Sequence, residues 1–335
     1  MTGGQGSPSL GEVGEFALIE RIVADLPLGP GVILGPGDDT ALVAAPDGRV
    51  VITVDMLVEG QHFRRDWSTA IDVGHKAAAA SLADVAAMGA VPTALVVALG
   101  APPTLPVEWA AGCSAALGAE AARAGASLVG GDVVRSPLVT VSVTAIGDLQ
   151  GRGPVLRSGA RPGDLLALAG RVGESAAGLA LLQAGRAEPA ALIEAHRRPH
   201  PPYAAGPAAA IAGATAMIDV SDGLVADARH LADASGVIVD LDSDCLPSSE
   251  HLVHAARLLG CPASQWILQG GEDHALLAAF PPGAWLPAEF RVVGRVREAG
   301  SDQESPGVLV DGARWSHGGG FDHFASTSGR DGDRA

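Results

Sequence analysis

Residues 217–224 read M-I-D-V-S-D-G-L. An apolar strand ends there in two aspartates three residues apart, and a glycine then leads into a helical pattern. Strand, acidic turn and helix within eight residues place the chain among mixed α and β proteins. The two carboxylates lose hydration and repel one another unless a cation stands between them. Asp and Ser are also favoured helix caps, so taken alone the stretch reads as a cap. The pattern recurs, and the recurrence changes its meaning.

G-P-G-D-D-T (35–40) offers Asp38 and Asp39 in a glycine-permissive turn. V-V-I-T-V-D (50–55) reads as a strand ending at Asp55, with Val51, Thr53 and Asp55 on one face and Ile52 and Val54 on the other. V-G-H-K-A-A-A-A-S-L-A-D-V-A-A-M-G-A (73–90) is rich in the best helix formers and sets Lys76, Ala80 and Asp84 on one face. G-G-D (130–132) adds Asp132 after the apolar S-L-V. With Asp219 and Asp222, each carboxylate is expected where a strand or buried helix meets a turn, the usual place for ligand sites in α/β-type folds. Several together make a hard-cation site a better explanation than several caps.

The remaining pattern alternates in the same way. Strands are expected at 94–99, 138–146, 165–169, 215–219, 237–241, 274–280 and 291–296, and helices at 107–124, 174–184, 204–213, 224–234 and 250–268. G-D-L-Q-G-R-G-P (147–154) is the best candidate boundary. The expectation is two α+β domains, residues 1–149 and 150–335, with mixed sheets and helices in each.

At 335 residues, 47% hydrophobic and 18% charged, the chain is globular and long enough for two cores. A net charge of −16 argues against a nucleic-acid surface and against an anionic membrane. Three cysteines without a C-x-x-C pair suggest neither a zinc ribbon nor a dithiol site. The first residues lack the basic and apolar blocks of a signal peptide, so a cytoplasmic location is expected. Oxygen ligands point to Mg²⁺, Mn²⁺ or Ca²⁺. Mg²⁺ takes few carboxylates per ion and completes its shell with water and phosphates, so this many aspartates imply several ions and a polyphosphate. The single lysine, Lys76, follows His75, which excludes a Gly-Lys phosphate loop.

Nine blocks in order carry a resemblance: G-E-F-A-L-I-E-R-I (14–22), G-P-G-D-D-T-A-L-V (35–43), V-D-M-L-V-E-G-Q-H-F (54–63), H-K-A-A-A-A-S-L-A-D-V-A-A-M-G-A (75–90), G-G-D-V-V-R-S-P (130–137), L-R-S-G-A-R-P-G-D (156–164), M-I-D-V-S-D-G-L (217–224), G-G-E-D-H-A-L-L (270–277) and G-F-D-H-F (320–324). Together they resemble the thiamine-monophosphate kinase family, within the superfamily of aminoimidazole ribonucleotide synthetase. The resemblance implies the two-domain α+β fold of that superfamily, a homodimer paired through its N-terminal domains, and ATP in the cleft between domains. It also implies direct transfer of the γ-phosphoryl group of ATP to thiamine monophosphate, aided by several Mg²⁺ ions and without a catalytic side chain.

By the same resemblance the metal ligands map onto Asp38, Asp39, Thr53, Asp55, Asp84, Asp132, Asp219 and Asp222. Nucleotide positions map onto Gly131, Asp132, Arg157 and Ser221, and substrate positions onto His62, Glu272 and Phe321. From the residues alone, His62 also reads as a packing histidine, Glu272 as a turn former with Asp273 as the functional partner, and Lys76 as an ion pair or solvated end. Departures from the family pattern include Met56, Ser81, Ala83, Ala124, Val133 and Val134. The competing expectations are another ATP-dependent enzyme of the superfamily, or a non-catalytic binder of thiamine phosphate and nucleotide.

Overall fold

A computed structural model describes residues 8–13, 15–24, 26–35, 42–300 and 305–316. Asp38, Asp39 and Phe321 lie outside the described residues. The first half of the chain forms α1 (Leu10–Val13), α2 (Glu15–Val23), a β1 (Val32–Leu34) and β2 (Leu42–Val43) pair, β3 (Val51–Val58), α3 (Ala70–Ala87), β4 (Val91–Ala101), α4 (Val107–Arg123), β5 (Ser127–Arg135) and β6 (Thr140–Asp148). The second half forms β7 (Leu165–Ala169), α5 (Glu174–Gln183), α6 (Ala190–Arg197), α7 (Ala205–Ile211), β8 (Ala216–Val220), α8 (Leu224–Ser235), β9 (Val237–Leu241), α9 (Glu250–Leu259), α10 (Ala263–Gln269), β10 (Ala275–Phe280), β11 (Phe290–Glu298), β12 (Gly307–Val310) and β13 (Ala313–Arg314).

Among the described residues the first half builds a four-stranded sheet in the order β3-β6-β4-β5, and the second a seven-stranded sheet in the order β13-β12-β9-β11-β7-β10-β8. Both mix parallel and antiparallel pairs. The fold is therefore the two-domain α+β arrangement. No described helix is long and apolar enough to cross a membrane.

α3 is the element that joins the halves. It packs on β3 and β6 on one side, on α4 on another, and on β8, β10 and α7 of the second half. A helix surrounded in this way must be small and apolar on nearly every face, and the run Ala77–Ala80 with Leu82, Ala83, Val85 and Ala86 is buried accordingly. It begins at Ala70, three residues earlier than the alanine run suggests. Thr69 and Asp72 form a capping box there: the Asp72 carboxylate accepts from the Thr69 N–H at 2.7 Å, and the Thr69 hydroxyl accepts from the Asp72 N–H at 3.3 Å.

Other expectations shift for local reasons. The segment 250–268 is two helices, α9 and α10, because Gly260 takes a left-handed conformation and Pro262 follows it. Asp55 does not end its strand: β3 runs on to Val58. Asp132 lies inside β5 and not at a turn, and Asp84 lies inside α3.

Candidate active site between the two halves

Three carboxylates from three elements converge at the join. On β3, side chains alternate, so Thr53 and Asp55 face α3 while Ile52, Val54 and Met56 face outward. Asp84 of α3 accepts from the Thr53 hydroxyl at 2.7 Å, and Asp55 Oδ2 lies 2.8 Å from the Ser81 hydroxyl. Asp219 enters from β8, the end strand of the larger sheet, with only 3% of its surface exposed. A cavity of about 330 Å³ opens beside them, lined by Thr53, Asp84, Met88, Arg157, Met217 and Asp219 among others.

The electrostatics are those of a cluster in which buried negative charge outweighs the nearby positive groups. Burial pushes the Asp84 carboxyl up to about 7, helped by the negative charges of Asp219 and then Asp55, while the Thr53 hydrogen bond and His274 pull the other way. Asp227 rises to about 7 as well, through burial and then its neighbours Asp219 and Asp222. A buried oxygen-donor set of this kind fits a divalent cation, because an added positive charge relieves the repulsion and favours the deprotonated ligands. The fit is to a hard cation such as Mg²⁺, and it rests on Asp55, Asp84 and Asp219, which the fold brings together.

The M-I-D-V-S-D-G-L turn shows why the cap reading gives way. Gly223, not an aspartate, stands before α8; its φ of +132° is a backbone conformation that side chains rarely adopt, and a Cβ there would come within 2.6 Å of the Gln269 carbonyl. The capping is done from within the helix: Asp227 Oδ2 accepts from the N–H groups of Asp222 at 3.1 Å and Gly223 at 3.0 Å. The carboxylates of Asp222 and Asp227 and the ring of His230 offer ligand atoms within 4.8 Å of one another. His274 Nδ1 stands 3.4 Å from Asp219 Oδ2, so histidine does border this carboxylate cluster.

Two residues that the resemblance assigns to the substrate, His62 and Glu272, meet through Lys76 beside the same turn. The Glu272 N–H donates to the Ser221 carbonyl at 2.7 Å, which seats the G-G-E-D-H turn beside β8. Lys76 Nζ donates to Glu272 Oε2 at 2.6 Å and to the His62 carbonyl at 3.3 Å. His62 Nδ1 in turn accepts from the Val58 N–H at 3.0 Å. Burial raises the Glu272 carboxyl, but the Lys76 ammonium and then His196 outweigh it and hold it at about 2. Asp273 is not the partner of Glu272: its two oxygens accept from the N–H groups of Gly173 at 2.6 Å and Ser175 at 2.9 Å at the start of α5. Lys76 is no solvated end either, being 4% exposed.

Asp132 and Gly131 are not brought to this cluster. In register, Asp132 pairs with Ala98, Ala98 with Ser142, and Ser142 with Met56, so Asp132 lies three strands across the sheet, roughly 14 Å at the usual strand spacing. It also shares the open face with Met56 and not the α3 face with Asp55. Gly131 has a packing reason of its own, since a Cβ there would collide with the Val97 carbonyl. Lys76, Ser81, Asp227, His196 and His274 are site neighbours that the sequence motifs did not assign. The spacing of Lys76 two helical turns before Asp84 was the one available signal for any of them.

The profile for AIR synthase related protein, N-terminal domain, matches residues 37–149, and that for the C-terminal domain matches residues 161–301. The thiamine-monophosphate kinase of Mycobacterium tuberculosis is 50% identical over 319 residues, covering 95% of this chain and 94% of that protein. The thiamine-monophosphate kinase of Corynebacterium glutamicum is 43% identical over 297 residues, covering 86% and 88%. The solved structure of AaThiL complexed with AMPPCP and TMP superposes with a TM-score of 0.77 at 34% identity, covering 96% of this chain and 100% of that one.

Proposed function

The chain belongs to the thiamine-monophosphate kinase family, and from that premise we propose how its own residues divide the work. It is an ATP-dependent kinase that phosphorylates thiamine monophosphate. The observation that supports our assignment is the convergence of Asp84 and Asp219 on one cavity that Thr53 and Arg157 also line, with the Asp55 charge close enough to act on Asp84.

The acceptor is a phosphate monoester whose second pKa is about 6, so at neutral pH it is mostly a dianion and needs no general base. Its difficulty is repulsion from the ATP tail. Asp55, Asp84, Asp219 and Asp222, with Thr53 as a lesser ligand, would hold Mg²⁺ ions, which when bound neutralise phosphate charge and favour in-line transfer. Asp38 and Asp39 join this set on the family resemblance, whereas Asp132, which the resemblance also includes, lies across the sheet on its other face. Arg157 offers a guanidinium suited to bidentate phosphate contact, and Ser221 serves the nucleotide, while Gly131 and Asp132, which the resemblance also assigns to it, lie apart from this cluster. His62, Glu272 and Phe321 take the organic part of thiamine monophosphate.

Residues 1–149 and 150–335 are the two domains in this reading, and the protein is a cytoplasmic homodimer. The dimer draws support from the open face of the four-stranded sheet, where Ile52 is 66% exposed, Val54 61% and Met56 53%. A contiguous apolar face on a sheet edge calls for a cover, and Asp132 lies on the same face.

Purified protein incubated with ATP, Mg²⁺ and thiamine monophosphate should yield thiamine diphosphate and ADP, separable by chromatography. Chelation should abolish the product and Mg²⁺ restore it. Asp219→Ala should lower the rate by at least roughly 10³-fold, corresponding to about 4 kcal/mol of transition-state stabilisation. An Asp219→Ala enzyme with undiminished turnover would sink the carboxylate assignment.

A further inference from the structure

The one lysine of the chain is buried, and it touches both halves of the substrate set. Lys76 Nζ reaches Glu272 Oε2 at 2.6 Å in the second half of the chain and the His62 carbonyl at 3.3 Å in the first. A buried ammonium needs partners, because an uncompensated one is too costly to keep. Here those partners are two of the three positions expected to hold the organic part of the substrate.

Glu272 is an unusual residue to fix in this way. Its backbone sits at a φ of +64°, a left-handed conformation seldom taken by a side-chain-bearing residue, and its side chain is 36% exposed. Its Oε2 is claimed by Lys76, with His196 Nδ1 at 4.0 Å. Among the described residues no donor reaches Oε1. One carboxylate oxygen is therefore clamped and the other presented. The helix supplies the spacing: Lys76 and Asp84 are eight residues apart on α3, about 12 Å along its axis. The same rigid element thus carries a phosphate-end carboxylate at one point and the clamp at another.

Resting on the kinase reading, we propose that Lys76 is a positioning and specificity residue: it locks the Glu272 side chain and the His62 turn together so that Glu272 Oε1 accepts from the amino N–H of the substrate's aminopyrimidine. The charge of Glu272 is already balanced by the ammonium, so the pair selects a hydrogen-bond donor more than a bare cation. His196, pushed down to about 3 by burial and then by Lys76, stays neutral and leaves that balance undisturbed. Lys76 itself touches no reacting atom.

The test is steady-state kinetics of the full-length enzyme and of Lys76→Met, Lys76→Arg, Glu272→Gln and the Lys76→Met/Glu272→Gln double variant. Two acceptors are compared, thiamine monophosphate and its analogue with an oxo group in place of the pyrimidine amino group. Lys76→Met should raise KM for thiamine monophosphate at least tenfold, leave KM for ATP within about twofold, and erase the preference for the amino over the oxo acceptor. Lys76→Arg should recover part of that preference. The double variant should be no worse than Glu272→Gln alone, since the two act as a unit. Additive losses, or equal rises in both KM values, would show a merely structural lysine and overturn the proposal. If Lys76→Met does not fold, Lys76→Arg and Glu272→Gln carry the same test, and retention of full amino preference in both overturns it. A wild-type enzyme that makes no thiamine diphosphate refutes the kinase reading itself, whereas an active wild type with an unaltered Lys76→Met refutes this inference alone.

Discussion

Thr53 Oγ1 donates to Asp84 Oδ2 at 2.7 Å, tying β3 to α3 at the edge of the cavity between the two halves. Among the described residues the hydroxyl is the one neutral donor holding a carboxylate that burial and two neighbouring aspartates disfavour. Thr53→Val keeps the shape and removes the bond. Groups that orient metal ligands are typically worth 10–100-fold in metal affinity or activity. The Mg²⁺ concentration for half-maximal rate should therefore rise about tenfold, with KM for thiamine monophosphate unchanged. An unaltered Mg²⁺ titration would remove Thr53 from the site.

The capping box of α3 tests stability apart from chemistry. Thr69→Ala leaves the Asp72 N–H without its side-chain acceptor and should cost about 1 kcal/mol. For a unit of some 150–250 residues this is roughly 2–4 °C in Tm. Turnover at 25 °C should be unaffected. A calorimetric scan with no shift would mean that Arg198, whose Nε donates to Asp72 Oδ1 at 2.6 Å, holds the helix start unaided.

Local structure was legible where the signal was local. The strands 165–169 and 237–241 match their apolar runs residue for residue, because turn-forming residues bound them on both sides. The start of α3 was missed because the cap lies ahead of the alanine run, and β5 because its glycines dilute the strand pattern. The site was legible as a set of aspartates and not as a geometry. Asp55 and Asp132 are equivalent in type and spacing logic, yet sheet register sends them to opposite faces three strands apart. The Lys76 and Glu272 pair spans 196 residues, a separation at which no periodicity reports.

The open face of the four-stranded sheet predicts assembly. Val54→Glu puts a charge at the centre of the apolar stripe formed with Ile52 and Met56. On a monomer this exposed change should alter stability by no more than about 0.5 kcal/mol. In a dimer covered on that face it buries an uncompensated charge, so sedimentation should show a dimer for the wild type and a monomer for the variant. A variant that remains dimeric would place the interface elsewhere.

Acid sensitivity should trace in part to Glu120, which is 3% exposed. Tyr203 Oη donates to it at 2.6 Å, Arg123 Nη2 lies 2.5 Å away, and His75 Nδ1 is at 3.1 Å. Burial raises the carboxyl, but Arg123, Tyr203 and His75 together outweigh it and hold it below its ordinary 4.5. A depressed folded value means that the unfolded chain binds the proton more tightly. The stabilisation is thus fully present above the unfolded value of 4.5 and is lost as pH falls below it through the lower folded value. Glu120→Gln should cost about 1–3 kcal/mol at pH 7, since Arg123 loses its charged partner and Tyr203 donates to a neutral carbonyl in place of a carboxylate. The deficit should shrink as the pH is lowered past 4.5, because the unfolded wild-type chain then takes up a proton that the folded carboxyl binds less tightly. Urea denaturation of both proteins across that range reads the difference directly, and a deficit that stays constant with pH would show that folding does not lower the Glu120 carboxyl.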